Sequence, residues 1–267
     1  MSSIVCGCVT PGLDTETKTG SYGQVLRLAQ STQSGGQYAS ALTFYQQAHD
    51  MAPDQPEPLL GIGDAAAAMG ASRTAAEAYE RALRLTPQNA AARIAYGTVL
   101  LDLDKPEAAL EQCREALRTG GSNPRVLNVL GVSLDLLGRH DEAQDAYREG
   151  LAQAAETIAL RNNLALSLAL GGQYEEAIET LKILAREPEA GGRIRQNLAL
   201  VHALAGQLEN AAIVARQELS ETEVANNLAF YQSLRTLRGR NLAEAVFRGQ
   251  LGDAPVRLQQ EMPPPAL

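Results

Sequence analysis

The chain has no tryptophan, and its three phenylalanines and eight tyrosines bring aromatics to only 4% of 267 residues. A globular domain with one thick core would be underfilled by such side chains, so the sequence asks for packing through alanine and leucine. Cysteine is almost as scarce. Cys6, Cys8 and Cys113 cannot make a disulfide framework and have no zinc-site spacing. The histidines His49, His140 and His202 form no pair at metal-ligand spacing, so no metal or other cofactor is expected. Positive charge is in deficit, with 23 Lys plus Arg against 31 Asp plus Glu, a net charge of −8 and a pI near 5.0. Nucleic acid asks for a basic face and is not an expected partner. No run approaches the roughly 20 apolar residues that span a bilayer.

What is present is a period. Small residues return every 34 positions at Ala29, Gly63, Gly97, Gly131, Ala165 and Ala199. Twelve positions behind each stands Ala41, Ala75, Ala109, Ala143, Ala177 or Ala211. Between them falls a turn residue: Gly36, Gly70, Asp104, Gly138, Gly172 or Gly206. Antiparallel helices approach to about 8–10 Å where the facing side chains are small, and glycine supplies the left-handed backbone that ends the first helix. The period therefore predicts an all-α solenoid of helix-turn-helix units at 22–55, 56–89, 90–123, 124–157, 158–191 and 192–225, with no sheet.

Larger side chains follow each fixed alanine by four positions, at Tyr45, Tyr79, Cys113, Tyr147 and Leu181. Three further on come Ala48, Ala82, Ala116 and Gly150, and proline closes units at Pro53 and Pro87. These residues resemble the tetratricopeptide repeat over about three quarters of the chain. The resemblance implies a superhelical solenoid whose first helices line a concave, protein-binding groove. Cys113, at a tyrosine position, is expected to be a buried core thiol. The pattern fades in the sixth unit, where Ala215 and Glu218 replace the aromatic and the small residue. A seventh, slipped half-unit follows, because Gln196-Asn197-Leu198-Ala199-Leu200 is echoed by Asn226-Asn227-Leu228-Ala229-Phe230 after 30 residues instead of 34. With a second helix from about Asn241 to Gly249, residues 226–250 are expected to form a C-terminal capping helix pair.

The ends depart from the repeat. Residues 1–21 read as a flexible tether rich in Thr, Gly and Ser, and 251–267, with Pro263 to Pro265, as a disordered tail. Val5-Cys6-Gly7-Cys8 resembles a bacterial lipobox, with Cys8 as the lipidated residue and the only link to a membrane. A signal segment needs a basic region and an apolar stretch before it, and neither precedes Cys8 here. Two readings stay open: a lipoprotein signal whose start lies upstream, or a frayed terminus with two incidental thiols.

No histidine is tied by pattern to a nucleophile, and the glycines recur at turns instead of forming a phosphate-cradling loop. An enzyme is not expected. Interest shifts to positions 5 and 6 of each unit, at or beside the groove. They change from Leu26, Leu60 and Ile94 to Asn128, then Asn162 with Asn163, Gln196 with Asn197, and Asn226 with Asn227. Amides at successive places can pair with successive peptide groups of an extended ligand, with Leu166 and Leu200 one turn on adding apolar contact. They can equally satisfy the solenoid's own polar groups.

The strings at 160–166, 193–201 and 225–230 are similar to those of the TadD family, tetratricopeptide lipoproteins of tight-adherence (Flp, type IVc) pilus machines. That resemblance implies a periplasmic protein tethered to the outer membrane, whose partners are the pilus secretin or other Tad components. The main rival is a cytoplasmic adaptor with no pilus role. A regulatory fragment of a repeat-bearing glycosyltransferase or peptidase fits less well, since about 40 residues after the sixth unit leave no room for a catalytic domain.

Overall fold

The computed structural model describes residues 13–188 and 191–248; Cys8 and the tail 251–267 lie outside them. All regular structure among the described residues is helical: α1 (Leu13–Ser34), α2 (Tyr38–Met51), α3 (Pro56–Ala68), α4 (Ser72–Leu85), α5 (Ala90–Asp102), α6 (Pro106–Gly120), α7 (Pro124–Leu136), α8 (His140–Gln153), α9 (Ile158–Leu170), α10 (Tyr174–Leu184), α11 (Gly192–Leu204), α12 (Leu208–Ala215), α13 (Glu221–Leu234) and α14 (Gly239–Arg248). Each 34-residue unit yields two of these helices, and α13 and α14 follow the sixth unit as the slipped echo requires.

The first boundary is a correction. Helix α1 begins at Leu13, so the stretch expected to be tether up to residue 21 is helical over its last nine residues. Threonine and serine carry only modest helix penalties, and Asp14 and Glu16 near the start favour a helix N-terminus. Composition alone overstated the coil.

The turns follow the reading residue by residue. Gly36, Gly70, Gly138, Gly172 and Gly206 have φ of 73°, 72°, 74°, 82° and 83°. The next residue donates back to the carbonyl five positions earlier, as in Ala71 to Ala66 (2.8 Å), Arg139 to Leu134 (2.9 Å) and Gln173 to Leu168 (2.8 Å). That bond closes the helix C-terminus. Asp104 holds the same place with φ 61°, a conformation Asp tolerates better than most L residues. A Cβ at Gly172 would meet nothing within 4 Å, so the cost there is backbone strain alone. Gly172→Ala is expected to lower stability by about 1–2 kcal/mol, read by chemical denaturation. Gly35→Ala, outside the left-handed region and with 3.5 Å to the nearest atom, should be nearly silent.

The chain forms two compact units, Met1–Asp104 and Lys105–Leu267. In the first, α1 to α4 pack consecutively and α5 packs on α4. Its core includes Ala29, Ala41, Tyr45, Leu59, Ile62, Ala78 and Ala82. The small residues make room for rings: a Cβ at Gly61 would lie 2.3 Å from the Tyr45 ring, and one at Gly63 2.6 Å from Tyr79. Tyr79 then donates to Asp64 Oδ1 at 2.5 Å.

In the second unit α7 pairs with α8, α9 with α10 and α11 with α12. The first helices also touch in series, α7 on α9, α9 on α11 and α11 on α13, which makes one continuous first-helix face. Ala143 is fully buried and Glu111 is exposed. Ala143→Leu should overpack the helix pair and cost about 1–3 kcal/mol, while Glu111→Leu should leave the denaturation midpoint almost unmoved. Equal effects would place the repeat register elsewhere.

Candidate partner-binding face

The amides of the first-helix face come together, but not as an open row. Asn163 Nδ2 on α9 donates to Asn128 Oδ1 on α7 at 2.9 Å. Asn162 Nδ2 donates to Asn163 Oδ1 at 3.1 Å, and Asn197 Nδ2 on α11 donates to Asn162 Oδ1 at 2.8 Å. Position 6 of one unit thus bonds position 5 of the unit before it, and the 162–163 bond joins the two steps into a chain across three helices. Asn162, Asn163 and Asn197 are buried, and Asn197 Oδ1 ends the chain without a partner.

This corrects the expectation that Asn163 and Asn197 turn to a ligand's backbone. Their amides are used on one another, where a low-dielectric interior strengthens each bond and raises the cost of leaving one unmade. Leu166 and Leu200 are likewise buried, so they serve the core instead of lining an open groove. Asn128 and Gln196 are half-buried. Asn227 is buried on α13, whereas Asn226 beside it is exposed.

The chain predicts an asymmetry between single and paired replacement. Asn162→Ala removes the bond that Asn197 makes to it and strands a side chain whose oxygen already lacks a donor, at a cost of about 1–3 kcal/mol. Replacing Asn162 and Asn197 together by leucine removes both ends of that bond and should recover part of the loss. Urea denaturation of the two variants distinguishes them; a double variant worse than the sum of its singles would contradict the internal chain.

A second polar cluster lies deeper and was not legible from the sequence. Asp135 on α7 is fully buried. Its Oδ1 lies 2.8 Å from His140 Nδ1 and accepts from Ser167 Oγ at 2.8 Å, while Oδ2 accepts from Tyr147 Oη at 3.0 Å. One carboxylate thus ties α7 to α8 and α9. Burial pushes the Asp135 carboxyl above its ordinary range, against the pull of His140, Ser167 and Tyr147. Burial, then Asp135 itself, drives the Tyr147 phenol well above its usual value.

The trio of Asp, His and Ser is not arranged for nucleophilic catalysis. A catalytic serine bonds to the histidine that takes its proton; here Ser167 bonds to the carboxylate, and its side chain is wholly inside. The cluster is an inter-helix tie.

The other sequence-selected groups also have local duties. Cys113 is fully buried, and burial pushes its thiol up to about 12 against a bond from Ser133, which removes thiolate reactivity at neutral pH. His49 pairs with Arg81 Nη2 at 2.5 Å; burial and then that guanidinium hold its imidazole below the usual value. His202 Nδ1 lies 2.7 Å from Gln207 Oε1. Arg238 donates to the carbonyls of Arg235 and Leu237, both at 2.6 Å, the helix-end role its position suggests. Among the described residues no group of three His, Cys, Asp or Glu is placed to hold a metal, and no helix is long and apolar enough to cross a membrane.

The tetratricopeptide repeat family model matches residues 60–124 and 128–191. No curated protein matches the sequence. Among solved structures, PilW, described as a widely conserved type IV pilus biogenesis factor, superposes with TM-score 0.68 at 18% identity, covering 78% of this chain and 97% of PilW. PilF of Pseudomonas aeruginosa gives TM-score 0.63 at 15% identity, covering 80% of this chain and 99% of PilF. A chain of the Cut9–Hcn1 hetero-tetramer of the APC/C gives TM-score 0.65 at 18% identity over 79% of this chain, which spans only 43% of that chain's length. At these identities the likeness is one of fold.

Proposed function

We propose that this chain is a non-enzymatic tetratricopeptide-repeat scaffold that holds a protein component of a pilus-assembly machine. One observation carries the reading. The three TadD-like strings, 160–166, 193–201 and 225–230, fall on α9, α11 and α13, the successive first helices of one face. The internal amide chain fixes α7, α9 and α11 in register, so that face is presented as a rigid surface; preorganisation of this kind lowers the cost of binding. The fold likeness to PilW and PilF supports a pilus setting.

In this reading the partner is the secretin or another Tad component, contacted through the half-buried Asn128 and Gln196 and the exposed Asn226. The protein is tethered at the periplasmic face of the outer membrane by lipid on Cys8. Val9 follows that cysteine where an inner-membrane retention aspartate would stand.

Deletion of the gene, read by the amount of heat-resistant secretin multimer in the outer membrane, tests the role. Loss of multimers, restored by the wild-type gene, is the expected result. Metabolic labelling with a fatty acid should mark the protein in cells, and Cys8→Ser should abolish the label and release it from membranes. Unchanged multimers and an unlabelled soluble protein would favour the cytoplasmic adaptor.

A further inference from the structure

We propose that α14 is a resident ligand of the first-helix face, and that the α7–α9 stretch it covers is a groove for an amphipathic helix of the partner protein. This rests on the scaffold reading above and adds which element of the face is occupied, by what, and what chemistry displaces it.

The chain's course is the first observation. Helix α13 continues the stack against α11 and α12. Helix α14 leaves it and packs on α7 and α9, whose sequences lie far behind it. Its N-terminus reaches the turn after α7, where a Cβ on Gly138 would stand 3.8 Å from the Arg240 backbone nitrogen. A helix that only extended the stack would have its main contacts with its immediate predecessors.

The second observation is the pattern on α14. Leu242, Ala243, Ala245, Val246 and Phe247 are buried, and Asn241 is exposed. Arg240 pairs with Glu244 on its own helix at 2.7 Å and with Glu107 on α6 at 3.1 Å. Ten residues are too few for a helix to persist in water alone, so its helicity depends on its seat. This is helix-in-groove recognition, with an apolar stripe as the anchor, made by the chain upon itself.

The third observation is how lightly the helix is held. Four residues, 235–238, separate it from α13, and it starts at Gly239 with φ 53°. Its ion pair with Glu107 joins two side chains that are 45% and 64% exposed, and such pairs contribute little. Ordering ten residues opposes the burial of five apolar side chains. The short tether nevertheless sets a local concentration on the order of millimolar. A partner helix that displaces it must carry the same stripe, Leu and Val one turn apart with alanine between and an aromatic after, and a cation two residues before the Leu to meet Glu107.

The test uses the full chain and a fluorescein-labelled synthetic peptide of residues 238–249. Leu242→Asp with Val246→Asp unseats α14 and should let the peptide bind saturably, whereas the wild-type chain, its groove filled, should bind at least tenfold more weakly. No binding to a variant that keeps its helical content, or equal binding to both chains, overturns the proposal. Should the double variant lose helix elsewhere, Phe247→Ala followed by hydrogen exchange decides. At least tenfold faster exchange in α14 with α7 and α9 unchanged is expected; acceleration of all three together would make α14 an integral part of the unit and overturn the proposal. Neither assay involves the secretin, so their failure and the failure of the pilus reading are separately visible.

Discussion

Asp135→Ala is expected to cost about 3–5 kcal/mol, because it strands three hydrogen-bond partners at about 1 kcal/mol or more each. The substitution leaves the Tyr147 and Ser167 hydroxyls and the His140 ring facing a void. Tyr147 and Ser167 are both fully buried, so water cannot replace the carboxylate cheaply. Asp135→Asn keeps the shape and an acceptor oxygen for Ser167 and His140, and its cost should be much smaller. The same pair yields a pH dependence. Burial raises the folded-state carboxyl above its unfolded value, so its contribution is fully present below about pH 4 and is lost as pH rises through the folded value. The stability of the natural chain relative to Asp135→Asn should therefore fall from pH 4 toward neutrality in urea titrations. A difference that grows with pH would mean that the three donors outweigh burial.

Gly131→Ala should be nearly as damaging, at about 3 kcal/mol. The added Cβ would lie 2.3 Å from the Tyr147 ring. Overpacking alone costs about 1–3 kcal/mol, and any movement of this ring also disturbs its bond to Asp135. The pair Gly131→Ala with Tyr147→Leu separates the two effects: it relieves the clash but gives up the hydroxyl. Its recovery, read from thermal and urea midpoints, should be partial. A silent Gly131→Ala would show that α7 and α8 are not packed ring against backbone.

The fold was legible because the signal repeats. Six turn residues at one spacing predict six left-handed turns, and even Asp104 takes the conformation its glycine sisters take. The buried thiol at Cys113 followed from the same register. The start of α1 was not legible, because Thr and Ser in Leu13–Ser34 are weak breakers and composition is a weak guide. The amides were found but misassigned: a row at positions 5 and 6 suits a ligand ladder and an internal chain equally. Only the 35-residue offset between Asn163 and Asn128 decides between them. The Asp135 cluster left no periodic trace, since Asp135, His140 and Ser167 do not recur together in the sister units. The amphipathic stripe of α14 can be read in its residues, but nothing in them says that it folds back onto α7 and α9.

The central claim is that the first-helix face of the Lys105–Leu267 unit holds a component of the pilus machine. Photo-crosslinking in cells, with a reactive amino acid placed singly at Gln196 on the face or at exposed Glu111 on α6, tests it most directly. An adduct containing the secretin or another Tad component at 196 and none at 111, seen by immunoblot, is the predicted result. Adducts from both positions, or a pilus component at neither, would contradict it.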